Sequence, residues 1–506
     1  MSRKNGGIIG PANTPVGGLF KGVAGGVWRM NDVANFVSNS QWPSTPQSID
    51  NSCRFDDGST DYLNRTPSSA GSRTTWTFSA WLKRANTSST GHQIFDCSPT
   101  PGTDESKIYF YNDFIYWKQE ISNTADGYLV TNRKFRDTSA WYHIVCKWDT
   151  TQATEADRMK MYINGVEETS FSTNNLPDQN RESYINSANA HYIGSAQGSG
   201  SNFDGYMAEV CFIDNQALDP TSFGETDSTT GIWKPKKIGA FSSAGDNSFY
   251  LDFKDSSNLG NDASGLSNNF TVNNLTSIDQ STDTCVENFA TLNPLNGVVY
   301  SSITFSEGSL KAQTAAGKYA PAHSTMGFNT GKWYAEFKAT DAGNWTMVGI
   351  VSQNSTASGQ PLGYFSDSYG YIGGTSAGSG NSLMNNDTNT SYASTYGNGD
   401  IISVAVDCDN NKLYFGLNGT WLNSGNPESG ATGTGAAFTI SSSPTSGFYY
   451  FAVGNYSGSQ TPDWEANFGN PSFSISSGNA DANGFGNFEY AVPSGYYALN
   501  TSNLNT

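Results

Sequence analysis

The sequence predicts an all-β chain that folds as two antiparallel β-sandwiches. Two tight turns carry this prediction, because Asn164-Gly165 and Asn418-Gly419 each lie between aromatic and β-branched residues. Asn and Gly reach positive φ at the least cost, and a two-residue type I′ hairpin requires positive φ at both central positions. The composition agrees: 13% of the residues are aromatic, 54 are glycine, and Ser-, Thr- and Asn-rich stretches suit short strands joined by turns. A chain of 506 residues also exceeds what one hydrophobic core usually organises.

Residues 1–48 are predicted to form an extended N-terminal arm. The segment is rich in Gly, Pro, Asn and Ser but keeps isolated apolar anchors, which a disordered tail rarely does. These anchors are Leu19, Phe20, Val27, Trp28 and Trp42. We expect the arm to dock on a neighbouring subunit or on the following domain; a loosely packed lead-in is the alternative.

The first sandwich is predicted over residues 49–225. Alternation places Trp76, Phe78, Ala80 and Leu82 on one face of a strand. The segment Trp141–Trp148 alternates in the same way. Both segments are therefore expected to contribute one face to a sandwich core.

Strand and turn patterns also divide the second half of the chain into three segments. Residues 226–300 are predicted to be a connector with short strands, such as Phe249–Phe253. A second sandwich is predicted over 301–475, and a C-terminal tail, 476–506, is expected to pack back on it.

Four segments of the first sandwich resemble, in order and spacing, the signature of laminin-G-like, concanavalin A-like domains. They are Phe78–Leu82, Trp141–Val145, Tyr162–Gly165 and Phe203–Val210. The resemblance implies a jelly-roll sandwich of two curved antiparallel sheets, a fold used to bind sugars, proteins or lipids.

The region 301–475 resembles a SPRY domain. A Gly-Asp turn at Gly399-Asp400 feeds a strand, the Asn418-Gly419 hairpin follows, and Asn467–Gly469 ends the fold. The resemblance implies a second sandwich that binds protein or peptide epitopes through loops at one end.

Two further segments, Asp283–Pro294 and Pro493–Thr501, resemble virion proteins of tailed bacteriophages, particularly marine ones. The resemblance implies a tail fibre or peripheral appendage that recognises host-surface glycan or protein and attaches to other virion proteins through its arm. By analogy with such proteins, the chain would form a homo-oligomer, for example a trimer. It would be assembled in the host cytoplasm and act on the virion. The alternatives are a capsid decoration or connector protein without a receptor role, and a polysaccharide-degrading enzyme.

The net charge of −18 disfavours some classes of binding partner. Residues 241–506 hold 6 Lys or Arg against 20 Asp or Glu. Such a surface repels phosphate backbones and anionic lipid, so neither nucleic acid nor membrane insertion is expected. The start of the chain has no apolar segment of secretory length, and no stretch of eighteen apolar residues predicts a membrane span.

No catalytic residue is predicted. Glu209 and Asp214 are five residues apart and should lie on opposite faces of a strand, and no Glu-x-Asp-x-x-Glu run occurs. The segment Gly374–Gly378 matches a nucleophile elbow by letter but lies in a Gly/Ser loop with no helical pattern after it. His143 alternates with apolar residues and is expected to face solvent.

Neither a metal nor a cofactor is predicted. Asp407–Asn411 resembles the start of a calcium loop, but the pattern favours a hairpin, since glycine is missing at position six and glutamate at position twelve. Calcium at a sandwich rim near Asp56, Asp57 and Asp204 is left open. The six widely spaced cysteines favour free thiols over zinc ligands or disulfides.

The predicted ligand-binding surface consists of aromatic residues between 344 and 396, set among Asn, Ser and Asp. These residues are Trp345, Tyr364, Tyr369, Tyr371, Tyr392 and Tyr396. The alternative is that several of these rings cover the sandwich core.

Overall fold

The computed structural model describes most of the chain from residue 49 onwards. The described ranges are 49–87, 90–198, 200–228, 230–238, 241, 244–295, 303–315, 321–342, 345–352, 360–374, 381–455 and 461–504, with the backbone of 7–9 and 27–29. Within the predicted arm, strand β1 (Gly7–Ile9) pairs with β2 (Val27–Arg29) in antiparallel fashion. The rest of the arm lies outside the described residues.

The first sandwich is built from short antiparallel strands. Its strands are β3 (Ser52–Phe55), β4 (Tyr62–Arg65), β5 (Thr75–Arg84), β6 (Gly91–Thr100), β7 (Asp104–Tyr111), β8 (Phe114–Ile121), β9 (Thr124–Thr131), β10 (Trp141–Asp149), β11 (Met159–Ile163), β12 (Val166–Glu167), β13 (Phe171–Asn175), β14 (His191–Ile193), β15 (Gly205–Asp214), β16 (Gly224–Thr226), β17 (Trp233–Pro235), β18 (Phe249–Leu251), β19 (Thr271–Asn273) and β20 (Gln280–Ser281). Within the described ranges, one sheet has the order β12-β11-β10-β5-β15-β3-β20, with β18 also pairing with β15. The facing sheet has the order β13-β9-β8-β7-β6-β14-β4-β19, and β16 and β17 form a separate hairpin.

The core of the first sandwich uses the face that alternation predicts. Trp76, Phe78, Ala80 and Leu82 are all buried between the two sheets. Trp76 and Trp148 are cross-strand partners whose rings stack with their centroids 5.9 Å apart. This contact stabilises the pairing of β5 with β10.

The segment predicted as a connector contributes strands to this first sandwich. Strand β18 pairs with β15, β19 with β4, and β20 with β3. Phe249, Leu251 and Phe270 belong to the first core.

The second sandwich has the same construction. Its strands are β21 (Ile303–Ser306), β22 (Lys311–Thr314), β23 (Ala322–His323), β24 (Lys332–Asp341), β25 (Thr346–Ser352), β26 (Ser368–Ile372), β27 (Ser382–Asn385), β28 (Thr388–Ser391), β29 (Ile401–Asp407), β30 (Lys412–Leu417), β31 (Thr420–Trp421), β32 (Phe438–Thr439), β33 (Tyr449–Asn455), β34 (Asp463–Asn467) and β35 (Tyr497–Ala498). Across the described residues, one sheet runs β21-β22-β34-β24-β29-β30-β31, with β32 on β30 and β35 on β24. The other runs β23-β33-β25-β26-β27-β28.

Helical structure in the described part of the chain is limited to segments of three to six residues. The α-helical turn is α1 (Thr501–Leu504), and the 3-10 turns are Glu155–Asp157, Pro220–Ser222, Ser277–Asp279, Leu422–Ser424 and Pro427–Thr432. None of these described helices has the length and apolar character needed to cross a membrane.

Both predicted Asn-Gly hairpins are confirmed. Asn164 and Gly165 have φ values of 49° and 79° and connect Ile163 to its cross-strand partner Val166. Asn418 and Gly419, with φ values of 46° and 81°, make the same turn between β30 and β31. Positive φ at both central residues defines the type I′ turn.

The two sandwiches are joined by buried polar contacts. Arg54 on β3 is fully buried and lies 3.2 Å from Glu307 of the second sandwich. The Tyr206 hydroxyl donates to the Gly308 carbonyl at 2.9 Å, and the Ser309 hydroxyl donates to the Ala85 carbonyl at 2.9 Å. These contacts hold the two bodies in one arrangement.

Candidate ligand-binding face

The predicted aromatic surface of the second sandwich is largely internal. Tyr369, Tyr371 and Tyr396 are 4%, 0% and 1% exposed and belong to the second hydrophobic core. The prediction that these three rings are displayed is therefore wrong. Tyr369 and Tyr371 occupy the inward positions of β26, and the Tyr396 hydroxyl donates to the Thr346 carbonyl at 2.8 Å.

The other three predicted residues are half-buried. Trp345 and Tyr364 pack beside a small apolar cluster on the outer side of the sheet, and Tyr392 packs against the main core. A ligand-binding role for Trp345, Tyr364 and Tyr392 stays a prediction.

His143 is buried, contrary to the expectation that it faces solvent. Trp233 of the β16–β17 hairpin covers it and donates from Nε1 to His143 Nδ1 at 3.0 Å. On the other side, Ser79 Oγ lies 2.9 Å from His143 Nε2. Burial lowers the pKa of His143 to about 3, so the ring is neutral at physiological pH.

A different surface, on the first sandwich, carries displayed aromatic rings. It is the outer face of the sheet that contains β4, β14, β6, β7, β8 and β9, and we call it the tyrosine face. Its half-exposed rings are Tyr62, Tyr109, Tyr116, Tyr128 and Tyr192, and Tyr111 is 41% exposed. Their inward neighbours, including Ile108, Phe110, Ile115 and Trp117, fill the core.

The rings of the tyrosine face form two groups. Tyr109 and Tyr116 are cross-strand partners whose centroids lie 5.1 Å apart, and Tyr128 lies 6.2 Å beyond Tyr116. Tyr62 and Tyr192 form the second group, with centroids 6.0 Å apart.

Charged side chains lie between the two groups. In register on consecutive strands, the outer residues are Tyr128, Lys118, Lys107, Asp96 and Tyr192. The Lys107 and Lys118 ammonium groups bind Glu105 Oε1 at 2.8 and 3.0 Å. They also lie 5.3 and 5.8 Å from the ring centroids of Tyr109 and Tyr128, within the range of cation–π contacts.

A small cavity of about 180 Å³ lies beside Asp96 and Lys107. Asp96, Ser98, Glu105 and Lys107 line one side of it, and Gln197 lies on the other. Ser98 Oγ donates to Asp96 Oδ2 at 2.8 Å, whereas Asp96 Oδ1 has no hydrogen-bond partner among the described residues. Asp96 therefore keeps one carboxyl oxygen without a partner beside the cavity.

The two carboxyl groups of this cavity differ in ionisation. Burial raises the pKa of Asp96 to about 7. Burial also acts to raise the pKa of Glu105, but hydrogen bonds from Lys107, the Gly102 amide and Lys118 outweigh it and lower that pKa to about 2. At neutral pH, Glu105 is charged and Asp96 is partly protonated.

The carboxylates weighed from the sequence do not form a site. Glu209 lies at a β-bulge and accepts a hydrogen bond from the Tyr250 hydroxyl at 2.6 Å, and Asp214 accepts one from the Ser72 amide at 2.8 Å. Both are buried. Ser376, the central residue of the nucleophile-elbow match, lies outside the described residues.

Across the described ranges, no group of three or more His, Cys, Asp or Glu is placed to hold a metal ion. Asp204 is buried, and burial raises its pKa well above the usual value, with Asp57 and Asp56 adding to the effect. Asp407 closes a turn by accepting from the Asn410 amide at 2.9 Å, as the hairpin interpretation requires.

The tyrosine face was missed in the sequence, although a signal for it exists. In β7 and β8, Tyr and Lys alternate with Ile, Phe and Trp, as in Lys107–Tyr111 and Phe114–Lys118. That alternation separates an amphipathic outer face from an apolar inner one.

Comparisons with known proteins agree with this architecture. Residues 57–222 match the laminin-G-type model of the concanavalin A-like lectin/glucanases superfamily, and residues 332–461 match the SPRY domain model. No curated protein sequence matches the chain. The chain thus combines a concanavalin A-like sandwich with a SPRY sandwich.

Parts of the chain are also similar to solved structures. The SPRY domain of human HERC1 is 16% identical, and the match covers 35% of this chain and 96% of that one, with a TM-score of 0.25. A heptameric SAP-like pentraxin from Limulus polyphemus is 16% identical over 41% of this chain and 94% of its own, with a TM-score of 0.28.

Proposed function

We propose that this chain is a binding protein and that the tyrosine face binds glycan. The observation that carries the proposal is the pair of half-exposed tyrosine groups flanking Asp96 on one sheet face. Tyrosine rings offer apolar faces to the C–H side of a pyranose ring, and nearby carboxyl, ammonium and hydroxyl groups can meet its hydroxyls. The superfamily matched by residues 57–222 includes lectins, which supports the same class of ligand.

The test is a glycan array followed by calorimetric titration of the best ligand into the full chain. Tyr109→Ala and Tyr192→Ala should each weaken binding roughly tenfold, because each removes a stacking surface worth about 1.4 kcal/mol. Tyr364→Ala, at a half-buried tyrosine of the binding surface predicted on the second sandwich, distinguishes the two surfaces and should bind like the parent if the tyrosine face is the site. If only Tyr364→Ala weakens binding, the ligand uses the second sandwich and the proposal is wrong.

We also propose that the chain is a virion component, either a tail fibre or a peripheral appendage. The support is the resemblance of Asp283–Pro294 and Pro493–Thr501 to virion proteins of tailed bacteriophages. Purified chain should then adsorb saturably to host cells, and Tyr109→Ala should reduce the adsorption. Presence in purified particles without adsorption would favour the decoration or connector alternative.

A second candidate function, glycan hydrolysis, is favoured by one observation. Asp96 and Glu105 share a cavity and have pKa values of about 7 and about 2, and such a separation is typical of an acid and its charged partner. Against it, Glu105 is engaged by two ammonium groups. Hydrolysis predicts release of oligosaccharides by the parent chain, and loss of release but not of binding in Asp96→Asn; binding without release would rule it out.

A further inference from the structure

We infer that the junction between the two sandwiches is a second binding site, which takes a neutral saccharide. A cleft of about 230 Å³ opens there, with one wall from each sandwich. The first wall includes Ile278, Gln280 and Thr282. The second includes Asn470, Ser474 and Asn487. The cleft is distinct from the tyrosine face and does not depend on its proposed role.

The chemistry of the walls defines the ligand class. Every polar side chain among the described residues that line the cleft is a hydroxyl or an amide, and none is charged. Hydroxyl and amide groups both donate and accept, which suits the hydroxyls of a sugar. An anionic or cationic ligand would enter without a counter-charge on the walls.

One acceptor in the cleft is already desolvated and unused. Asn470 is 1% exposed, and its Oδ1 has no hydrogen-bond partner among the described residues. Its Nδ2 lies 3.5 Å from Asp283 Oδ2, a long contact. A buried acceptor without a partner costs free energy, and a ligand hydroxyl that donates to it would recover that cost.

The walls are held in place before any ligand arrives. The buried Arg54 guanidinium donates to the Ile278 carbonyl on one wall and to the Pro471 carbonyl on the other, each at 3.2 Å. Asp279 and Glu307 lie 3.2 Å from the same guanidinium and balance its charge. A rigid cleft loses little entropy on binding, which favours affinity for a small ligand.

The volume limits the size of that ligand. Pockets for drug-sized molecules hold about 300–1,000 Å³. The cleft, at about 230 Å³, is smaller and fits a single sugar residue, with Ile278 and Ile475 as apolar contacts.

The experiment is saturation-transfer-difference NMR on the full chain. The probes are the methyl glycosides of glucose, galactose, mannose and N-acetylglucosamine, with glucuronic acid as the charged comparison. A Tyr109→Ala/Tyr192→Ala background removes binding at the tyrosine face, so the two sites are read separately. At least one neutral glycoside should give saturation transfer in this background.

A blocking variant and its matched control decide the location. Ser474→Trp fills the mouth of the cleft from an exposed position and should abolish the signal. Ser442→Trp, at an exposed serine elsewhere on the second sandwich, should leave it unchanged. No signal from any neutral glycoside, a signal that survives Ser474→Trp, or a stronger signal from glucuronic acid would overturn the inference.

Discussion

A buried carboxyl group helps to hold the C-terminal segment on the second sandwich. Glu336 on β24 is fully buried and accepts hydrogen bonds from the Tyr334 hydroxyl at 2.9 Å and from the Asn467 side-chain amide at 3.2 Å. The backbone amides of Glu489 and Tyr490 donate to it at 2.9 and 2.8 Å. Glu336 thereby ties the C-terminal segment to the middle of the second sandwich.

We expect Glu336→Gln to destabilise the protein by roughly 2–4 kcal/mol, because an amide nitrogen would face donors that now meet an acceptor oxygen. Denaturant unfolding measures the change. Glu155→Gln, at an exposed glutamate, is the control and should change the free energy of unfolding by less than about 0.5 kcal/mol. Equal effects of the two substitutions would contradict this role for Glu336.

At the scale of single elements, turns and the hairpins that pack over a sheet determine which strand faces are buried. The β11–β12 turn lies under the hairpin β16–β17, whose Trp233 ring covers both Gly165 and His143. A Cβ added at Gly165 would lie 2.5 Å from Trp233 ring carbons. Gly165 therefore serves the turn and also admits the covering ring.

A pair of glycine substitutions separates these two requirements. Gly399→Ala places a Cβ on a left-handed backbone with φ of +88°, but no atom lies within 4 Å of that Cβ. We therefore expect the substitution to lower the free energy of unfolding by about 1–2 kcal/mol. Gly165→Ala, with φ of +79°, should cost about 1–3 kcal/mol more, because it also displaces Trp233. Thermal and denaturant unfolding give both values, and equal costs would mean that the Trp233 contact contributes little.

At the scale of the whole molecule, a buried ion pair joins the first sandwich to the segment that leads into the second. Lys83 is buried and donates to Asp283 Oδ2 at 2.7 Å, to Asn288 Oδ1 at 2.7 Å and to the Phe289 carbonyl at 3.2 Å. Phe289 in turn packs in the second sandwich. The pair couples the folding of the two bodies.

Lys83→Met should cost roughly 3–5 kcal/mol, because it leaves the Asp283 carboxylate buried without its cation. Differential scanning calorimetry should show the parent unfolding in one transition and the variant in two. The double variant Lys83→Met/Asp283→Asn removes the unpaired charge and should recover part of the loss. A double variant no more stable than Lys83→Met would contradict the electrostatic explanation.

The pH dependence of stability follows from groups spread over both sandwiches. Burial raises the pKa of Asp96, Glu209 and Glu336 to about 7. The stability that these groups contribute is complete below their ordinary pKa values near 4 and is lost as the pH rises through 7. Burial lowers the pKa of His92 and His191 to about 4, so their contribution is complete above pH 6.5 and is lost as the pH falls.

Between pH 6 and pH 8 the histidine contribution is nearly complete, so the ionising carboxyl groups should dominate and the stability should fall. The midpoint of thermal unfolding at constant ionic strength should be on the order of 5 °C lower at pH 8 than at pH 6. Asp96→Asn should reduce that difference, because the amide does not ionise. A midpoint that rises steadily from pH 6 to pH 8 would show that the buried carboxyl groups are not protonated.

The sequence alone predicts the class of fold and its local geometry. The type I′ turns at Asn164-Gly165 and Asn418-Gly419 and the inward face of β5 follow from neighbouring residues, because turn dihedrals and two-residue alternation are local properties. The resemblance to concanavalin A-like and SPRY domains also rests on such short ordered segments.

The tertiary structure alone decided which aromatic rings are available to a ligand. Tyr371 and Tyr109 both lie on strands that alternate, yet Tyr371 is in the core and Tyr109 is on the surface. His143 is likewise buried, and Trp233, 90 residues along the chain, is one of the side chains that cover it. Exposure depends on which distant segment packs on a face, and no pattern within the strand itself contains that information.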